Sequence, residues 1–198
     1  GLLEAISYQQ TRMTHLTSTM DASCTGMPQY LGVMGLIENG KGYFNENLKT
    51  ISIQSNKSVE LLKQDPNQEI LAFAFTYHKI LENNHALFAT VEEKLLLLDQ
   101  LTEIPLQLNL QGNNYAFDSY LFGLIQFMND AEMQQYYDFP NPKIDGSKVF
   151  ARPDDPFGQG HQHWNFLSSD KIFIHTDHIE NENNEKYSGN ATQGNAKT

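Results

Sequence analysis

The chain has 198 residues, 39% of them hydrophobic, enough for one well-filled core and a small appendage. A formal net charge of -11 and an isoelectric point near 4.9 set it against nucleic-acid phosphates and anionic membrane surfaces, which excludes nucleic acid as a partner. Apolar runs such as Leu95 to Leu98 fall far short of the roughly 20 residues of a membrane span, so none is expected, and a single cysteine, Cys24, excludes an internal disulfide.

Leu2, Leu3, Ala5, Ile6, Met13 and Leu16 recur on one helical face and predict a first helix from about Leu2 to Met13. From Ser18 to Gly42, Asp21, Gly26, Pro28, Gly32, Gly35, Gly40 and Gly42 predict loops and tight turns around a short helix, where a cleft wall could form. A helix is expected from Phe44 to Ile53, and Ser58 is placed to cap another that begins at Val59. Asp65-Pro66 breaks that helix and opens the next, in which Ile70, Leu71, Phe73, Ala74, Tyr77, Ile80 and Leu81 keep a helical period. Two further helices are predicted, Thr90 to Thr102 and Tyr115 to Tyr137, the second with Leu121, Leu124, Ile125 and Met128 at apolar positions.

Beyond Pro140 the chain changes character, through Pro142, Pro153, Pro156 and Gly160 to a strand-like Lys171-Ile172-Phe173-Ile174. From about Ile179 there is too little apolar surface to offset the entropy of ordering, which predicts a disordered tail or linker. The expected fold class is mainly α: a helical domain over 1–139, an irregular extension with the strand-like run over 140–178, and a tail over 179–198. Because the chain starts at Gly1 directly on a helical pattern, it reads as part of a longer protein that supplies any targeting signal.

Four ordered segments carry a family resemblance. The run Gly1-Leu2-Leu3-Glu4-Ala5-Ile6-Ser7-Tyr8-Gln9-Gln10-Thr11 resembles the opening catalytic helix of soluble lytic transglycosylases and goose-type lysozymes, in which Leu-Leu-x-Ala-Ile leads to Glu-Ser. Here Gln10-Thr11 stands in place of that pair. Gly32-Val33-Met34-Gly35-Leu36-Ile37-Glu38 resembles the family's Gly-Leu-Met-Gln segment, and Asp65-Pro66-Asn67-Gln68-Glu69-Ile70-Leu71-Ala72 its Asp-Pro-capped helix. Tyr120-Leu121-Phe122-Gly123 is similar to its Tyr-Asn-Ala-Gly element. More narrowly, Ser23-Cys24-Thr25-Gly26-Met27-Pro28 with the segment after it resembles lysozyme-like regions ahead of N-acetylmuramoyl-L-alanine amidase domains in bacterial envelope proteins.

The resemblance implies a lysozyme-like helical domain that recognises peptidoglycan glycan strands without a cofactor. It also implies a periplasmic or secreted location, further domains of the same polypeptide, and substrate contacts at Gln10, Thr11, Tyr30, Met34, Gly35 and Tyr120. Tyr8 and Tyr43 are further candidates to stack on sugar rings, although a core role fits each tyrosine equally well.

Gln10 is the constraint on any catalytic reading. Glycosidic cleavage needs a proton on a poor leaving-group oxygen, which a carboxylic acid of raised pKa supplies and an amide does not. Gln keeps nearly the shape of Glu and still hydrogen-bonds a sugar, so the expectation is a glycan-binding domain with glycosidase activity lost or strongly reduced, the alternative being an active enzyme with a relocated acid. Asp21 and Glu38 could serve as a relocated acid or as ordinary turn residues. Glu4, six residues before Gln10, is turned away from its face.

Other clusters compete with the glycan reading. His161, His163, His175, Asp177 and His178 could bind zinc for a hydrolase, against a plainer reading as incidental surface histidines. Glu82-Asn83-Asn84-His85 matches half of a di-iron pattern, lacks the second half, and reads as a helix terminus. Cys24 could be a thiol nucleophile, but no clear helix follows it to lower its pKa.

Overall fold

The computed structural model describes residues 1–17, 28–108, 111–150, 162–168 and 171–176. It is mainly helical and divides into two compact units, Gly1–Ile144 and Asp145–Thr198. In the first unit run α1 (Leu2–Thr11), α2 (Asn47–Ser55), α3 (Val59–Gln64), α4 (Pro66–Asn83), α5 (Val91–Leu96), α6 (Gln111–Asn129) and α7 (Ala131–Tyr137), with 3-10 turns at Leu97–Gln100 and Leu106–Leu108. In the second are α8 (Gly146–Phe150) and an antiparallel hairpin of β1 (Gln162–Ser168) with β2 (Lys171–Thr176). Among the described residues no helix is long and apolar enough to cross a membrane.

Local chemistry sets most of the boundaries. The Ser58 hydroxyl accepts from the Leu61 N–H at 3.2 Å and starts α3. The Asp65 carboxylate accepts from the Asn67 and Gln68 N–H groups and starts α4, with Pro66 in the first turn, where its missing donor costs nothing. Two expected single helices are divided. Thr90 and Glu93 form a reciprocal capping box for α5, but the helix tightens into a 3-10 turn at Leu97, well before Thr102. The stretch from Tyr115 to Tyr137 breaks at Asp130, whose carboxylate accepts from the Glu132 and Met133 N–H groups and so restarts the chain as α7.

The core lies between two packed layers, α1 on α6, and α2 and α3 on α4. Leu121, Leu124, Ile125 and Met128 are all buried along α6, as their period requires. On α4, Phe73, Tyr77, Ile80 and Leu81 are buried while Leu71 remains exposed. Gly123 allows α6 to approach α1 closely, since a Cβ there would stand 2.6 Å from the Gln9 side chain. The sequence pattern Tyr120-x-x-Gly123 therefore has a packing cause. The first unit continues to Ile144, which is buried and exchanges two hydrogen bonds with the Asn129 amide, at 2.9 and 3.1 Å.

A turn from Leu31 to Leu36 joins the layers. Leu31 and Leu36 exchange both backbone hydrogen bonds at 2.8 Å, and Gly32 and Leu16 exchange theirs at 2.8 and 3.0 Å. The turn's outward N–H groups, of Val33 and Met34, point into the protein and need acceptors. Glu69 of α4 supplies both, one carboxylate oxygen at 2.7 Å from Val33 N and the other at 3.0 Å from Met34 N.

Burial pushes the Glu69 carboxyl up to about 7, against the opposing pull of those two N–H groups. Between about pH 4.5 and 7, the folded protein holds a proton on Glu69 that the unfolded chain releases. The contribution of Glu69 is therefore complete below pH 4.5 and is lost as pH rises through 7, an effect of about 3 kcal/mol. Urea unfolding of Glu69→Gln should show a loss of stability from acid to mild alkali about 3 kcal/mol smaller than in the parent. Equal losses in the two proteins would contradict this assignment.

Candidate functional site

A groove of about 550 Å3 opens along α1 and α6, floored by the segment that links α5 to α6. Gln9 and Gln10 enter it from the end of α1, Tyr30, Tyr43 and Phe44 from the turn region, and Asn113, Ser119 and Tyr120 from α6. Glu103, Ile104 and Pro105 form the floor.

Of the residues expected at a substrate site, Gln10, Tyr30 and Tyr120 meet here. Thr11, Met34 and Gly35 instead hold the groove's frame. The Thr11 hydroxyl donates to the Val33 carbonyl at 2.7 Å and lies 3.0 Å from the Ser7 carbonyl, while Met34 is buried in the core. Gly35 has φ +68°, and a Cβ on it would stand 2.6 Å from Cβ of Gln10. This close approach fixes the turn against the end of α1 and sets the position of Gln10.

The candidate acids fare differently. Glu38 is exposed and pairs with Lys63, and it does not line the groove. Asp21 lies outside the described residues, as does Cys24. Glu4 is half-exposed and accepts from the Gly1 amino group at 2.7 Å. Tyr8 is packed on Phe127, with ring centroids 5.1 Å apart, beneath the Arg12 guanidinium and away from the groove.

The carboxylate that does occupy the groove is Glu103, which has only 5% of its surface exposed. One of its oxygens accepts from the Tyr30 hydroxyl at 2.6 Å, and the other lies 3.5 Å from the Gln10 amide nitrogen. Burial raises its pKa above the usual carboxylate range, opposed by hydrogen bonds from Tyr30, its own backbone and Gln10. Burial and the nearby Glu103 charge push the Tyr30 phenol up, and the same two causes, joined by Tyr30 and Tyr77, raise Tyr120. Both tyrosines are thus neutral donors at ordinary pH. No Lys, Arg or His is among the described residues lining the groove.

Neighbouring amides hold Glu103 in position. Asn45 N donates to the Glu103 carbonyl at 2.8 Å, and the Asn45 side-chain amide donates to the carbonyls on either side, of Thr102 at 3.2 Å and Ile104 at 2.9 Å. Asn47 ties Leu101 O to Ile37 N through the two ends of its amide. These residues border a second hollow of about 750 Å3. The Asn47 amide is committed to the backbone, and that of Asn45 to backbone carbonyls and to the Gln107 side chain, which donates to it at 2.9 Å.

Sequence reasoning missed Glu103 because it sits 93 positions from Gln10, next to a predicted helix end. The available signal was weak: a lone acid after an apolar run, two residues before Pro105, where helix cannot continue. Tyr43 is 41% exposed, donates to the Asn113 side-chain amide oxygen at 2.6 Å and meets Phe44 edge to face, so its ring forms a wall of the groove.

Of the histidine cluster, His163 and His175 are paired across the β1–β2 hairpin, whereas His161, Asp177 and His178 lie outside the described residues. The Glu82-Asn83-Asn84-His85 run is a helix terminus, with Asn84 capping α4 and His85 at φ +55°. No family model, curated protein or solved structure is significantly similar to the chain.

Proposed function

We propose that the first unit recognises peptidoglycan glycan strands in the groove between α1 and α6. The observation that carries this reading is the meeting of Gln10, Tyr30 and Tyr120, from three separated segments, in one open groove with Tyr43 and Asn113. Aromatic faces complement the apolar C–H face of a pyranose, and side-chain amides match its hydroxyl and acetamido groups. An open groove suits a linear polymer better than a closed pocket would. The lysozyme-like architecture belongs to the same proposal, supported by the order of the four resembling segments. Their likeness to regions ahead of amidase domains further supports a role in the cell envelope, within a larger wall enzyme.

Sedimentation with insoluble peptidoglycan tests the reading. The protein should pellet with sacculi, and Tyr43→Ala, assayed under conditions where its unfolding curve shows it fully folded, should weaken that binding about tenfold, or about 1.4 kcal/mol. A parent protein that stays in the supernatant would refute it.

A further inference from the structure

We infer that Glu103 is a relocated proton donor, which makes the groove a glycan-cleaving site despite Gln10. The inference rests on the glycan reading above and adds a reaction to it. Three observations support it. A carboxylate is almost completely buried at the floor of the one groove where the sequence places a sugar-binding glutamine. No cationic side chain lines that groove among the described residues, so none of them pairs with Glu103 there. Its two oxygens also differ. Of the side-chain contacts, one oxygen takes a short hydrogen bond from Tyr30, at 2.6 Å, while the other has the longer 3.5 Å approach of Gln10, and the residue's own backbone N–H also bonds the carboxylate. The second oxygen has the weaker of the two side-chain hydrogen bonds, and it is the one assigned to carry a proton toward a ligand.

A purely structural buried carboxylate would be expected to have both oxygens well satisfied, and Glu69 shows that arrangement in the same protein. Its oxygens accept backbone N–H groups at 2.7 and 3.0 Å. Glu103 is instead held by its own backbone N–H and by two side chains, Tyr30 and Gln10, that themselves line the groove, and its backbone is fixed by Asn45. Burial favours its neutral form, the form a general acid must have before reaction.

In the step this assigns, the proton on Glu103 passes to the oxygen bridging two sugars as the C1–O bond breaks, both bonding electrons staying on that oxygen. A hydroxyl, from water or from the same sugar's C6, bonds to C1 and gives its proton to the Glu103 carboxylate, which regenerates the acid. The two sources differ by one water in product mass. Tyr30 is a positioning residue, because it acts on the reaction through Glu103.

Purified full chain incubated with insoluble sacculi should release soluble muropeptides detectable by mass spectrometry. Glu103→Gln should still pellet with sacculi but release them at least about 100-fold more slowly. Tyr30→Phe removes a hydrogen bond that favours the charged carboxylate, so the alkaline limb of the release profile should move to higher pH. Among the described residues, Tyr30 and Tyr120 are the titratable groups interacting with Glu103, and burial keeps both neutral across that range. Binding without release by the parent protein between about pH 4 and 8 would overturn the acid assignment and leave glycan recognition intact. Undiminished release by Glu103→Gln, or an unshifted Tyr30→Phe profile, would also overturn it. Failure of the parent to bind sacculi would remove the glycan reading itself, and this inference with it.

Discussion

Gly32→Ala is expected to destabilise the protein by about 3 kcal/mol or more. Two costs combine at this position. Gly32 has φ +70°, a left-handed conformation that costs an alanine roughly 1 kcal/mol or more. In addition, its Cβ would stand 2.1 to 2.2 Å from the carboxylate atoms of Glu69. That carboxylate cannot step aside without leaving the Val33 and Met34 N–H groups buried and unpaired, at roughly 1–3 kcal/mol each. Gly42 provides the control, since its φ is +77° and a Cβ there meets nothing within 4 Å. Gly42→Ala should therefore show the backbone cost alone. Urea unfolding of the two variants separates the effects, and equal losses would mean that Glu69 does not press on Gly32.

The contrast between these glycines also marks what was legible in the sequence. Helices written by local rules could be read directly: Ser58, Asp65 and Pro66 each act through groups within three residues of themselves, and the apolar period of α6 determines its buried face. The two divided helices failed for a related reason. Asp130 falls inside the run from Tyr115 to Tyr137, and a side chain that accepts from the N–H groups two and three residues on competes with helix continuation. The groove was only partly legible. Gln10, Tyr30 and Tyr120 could be named from the resemblance, but Glu103 depends on contacts across 93 and 73 residues that no local pattern encodes. Thr11, Met34 and Gly35 were assigned to substrate, and their structural use is to hold the turn on α1, a role that closely spaced small and apolar residues equally permit.

Gln10→Glu is the second substitution with a large expected effect, and its sign depends on pH. The new carboxyl would lie near Glu103 at the present 3.5 Å separation of Gln10 and that residue, in a groove with no described cation to neutralise the pair. Two carboxyls this close cannot both ionise readily, so they would share a proton and one would titrate far above the ordinary range. The folded variant then holds a proton that its unfolded chain releases, and by linkage the substitution costs little in acid and progressively more as pH rises. Between about pH 5 and 8 the variant should lose about 3 kcal/mol relative to the parent, as expected for a buried charge that lacks a partner. Urea unfolding at the two pH values measures this, and a pH-independent difference would show that residues 10 and 103 do not interact. The parent avoids the conflict because the Gln10 amide offers an N–H to the Glu103 carboxylate where a second acid would repel it. On these contacts, Gln10 leaves the groove floor with a single carboxyl, Glu103, and places an amide N–H beside it.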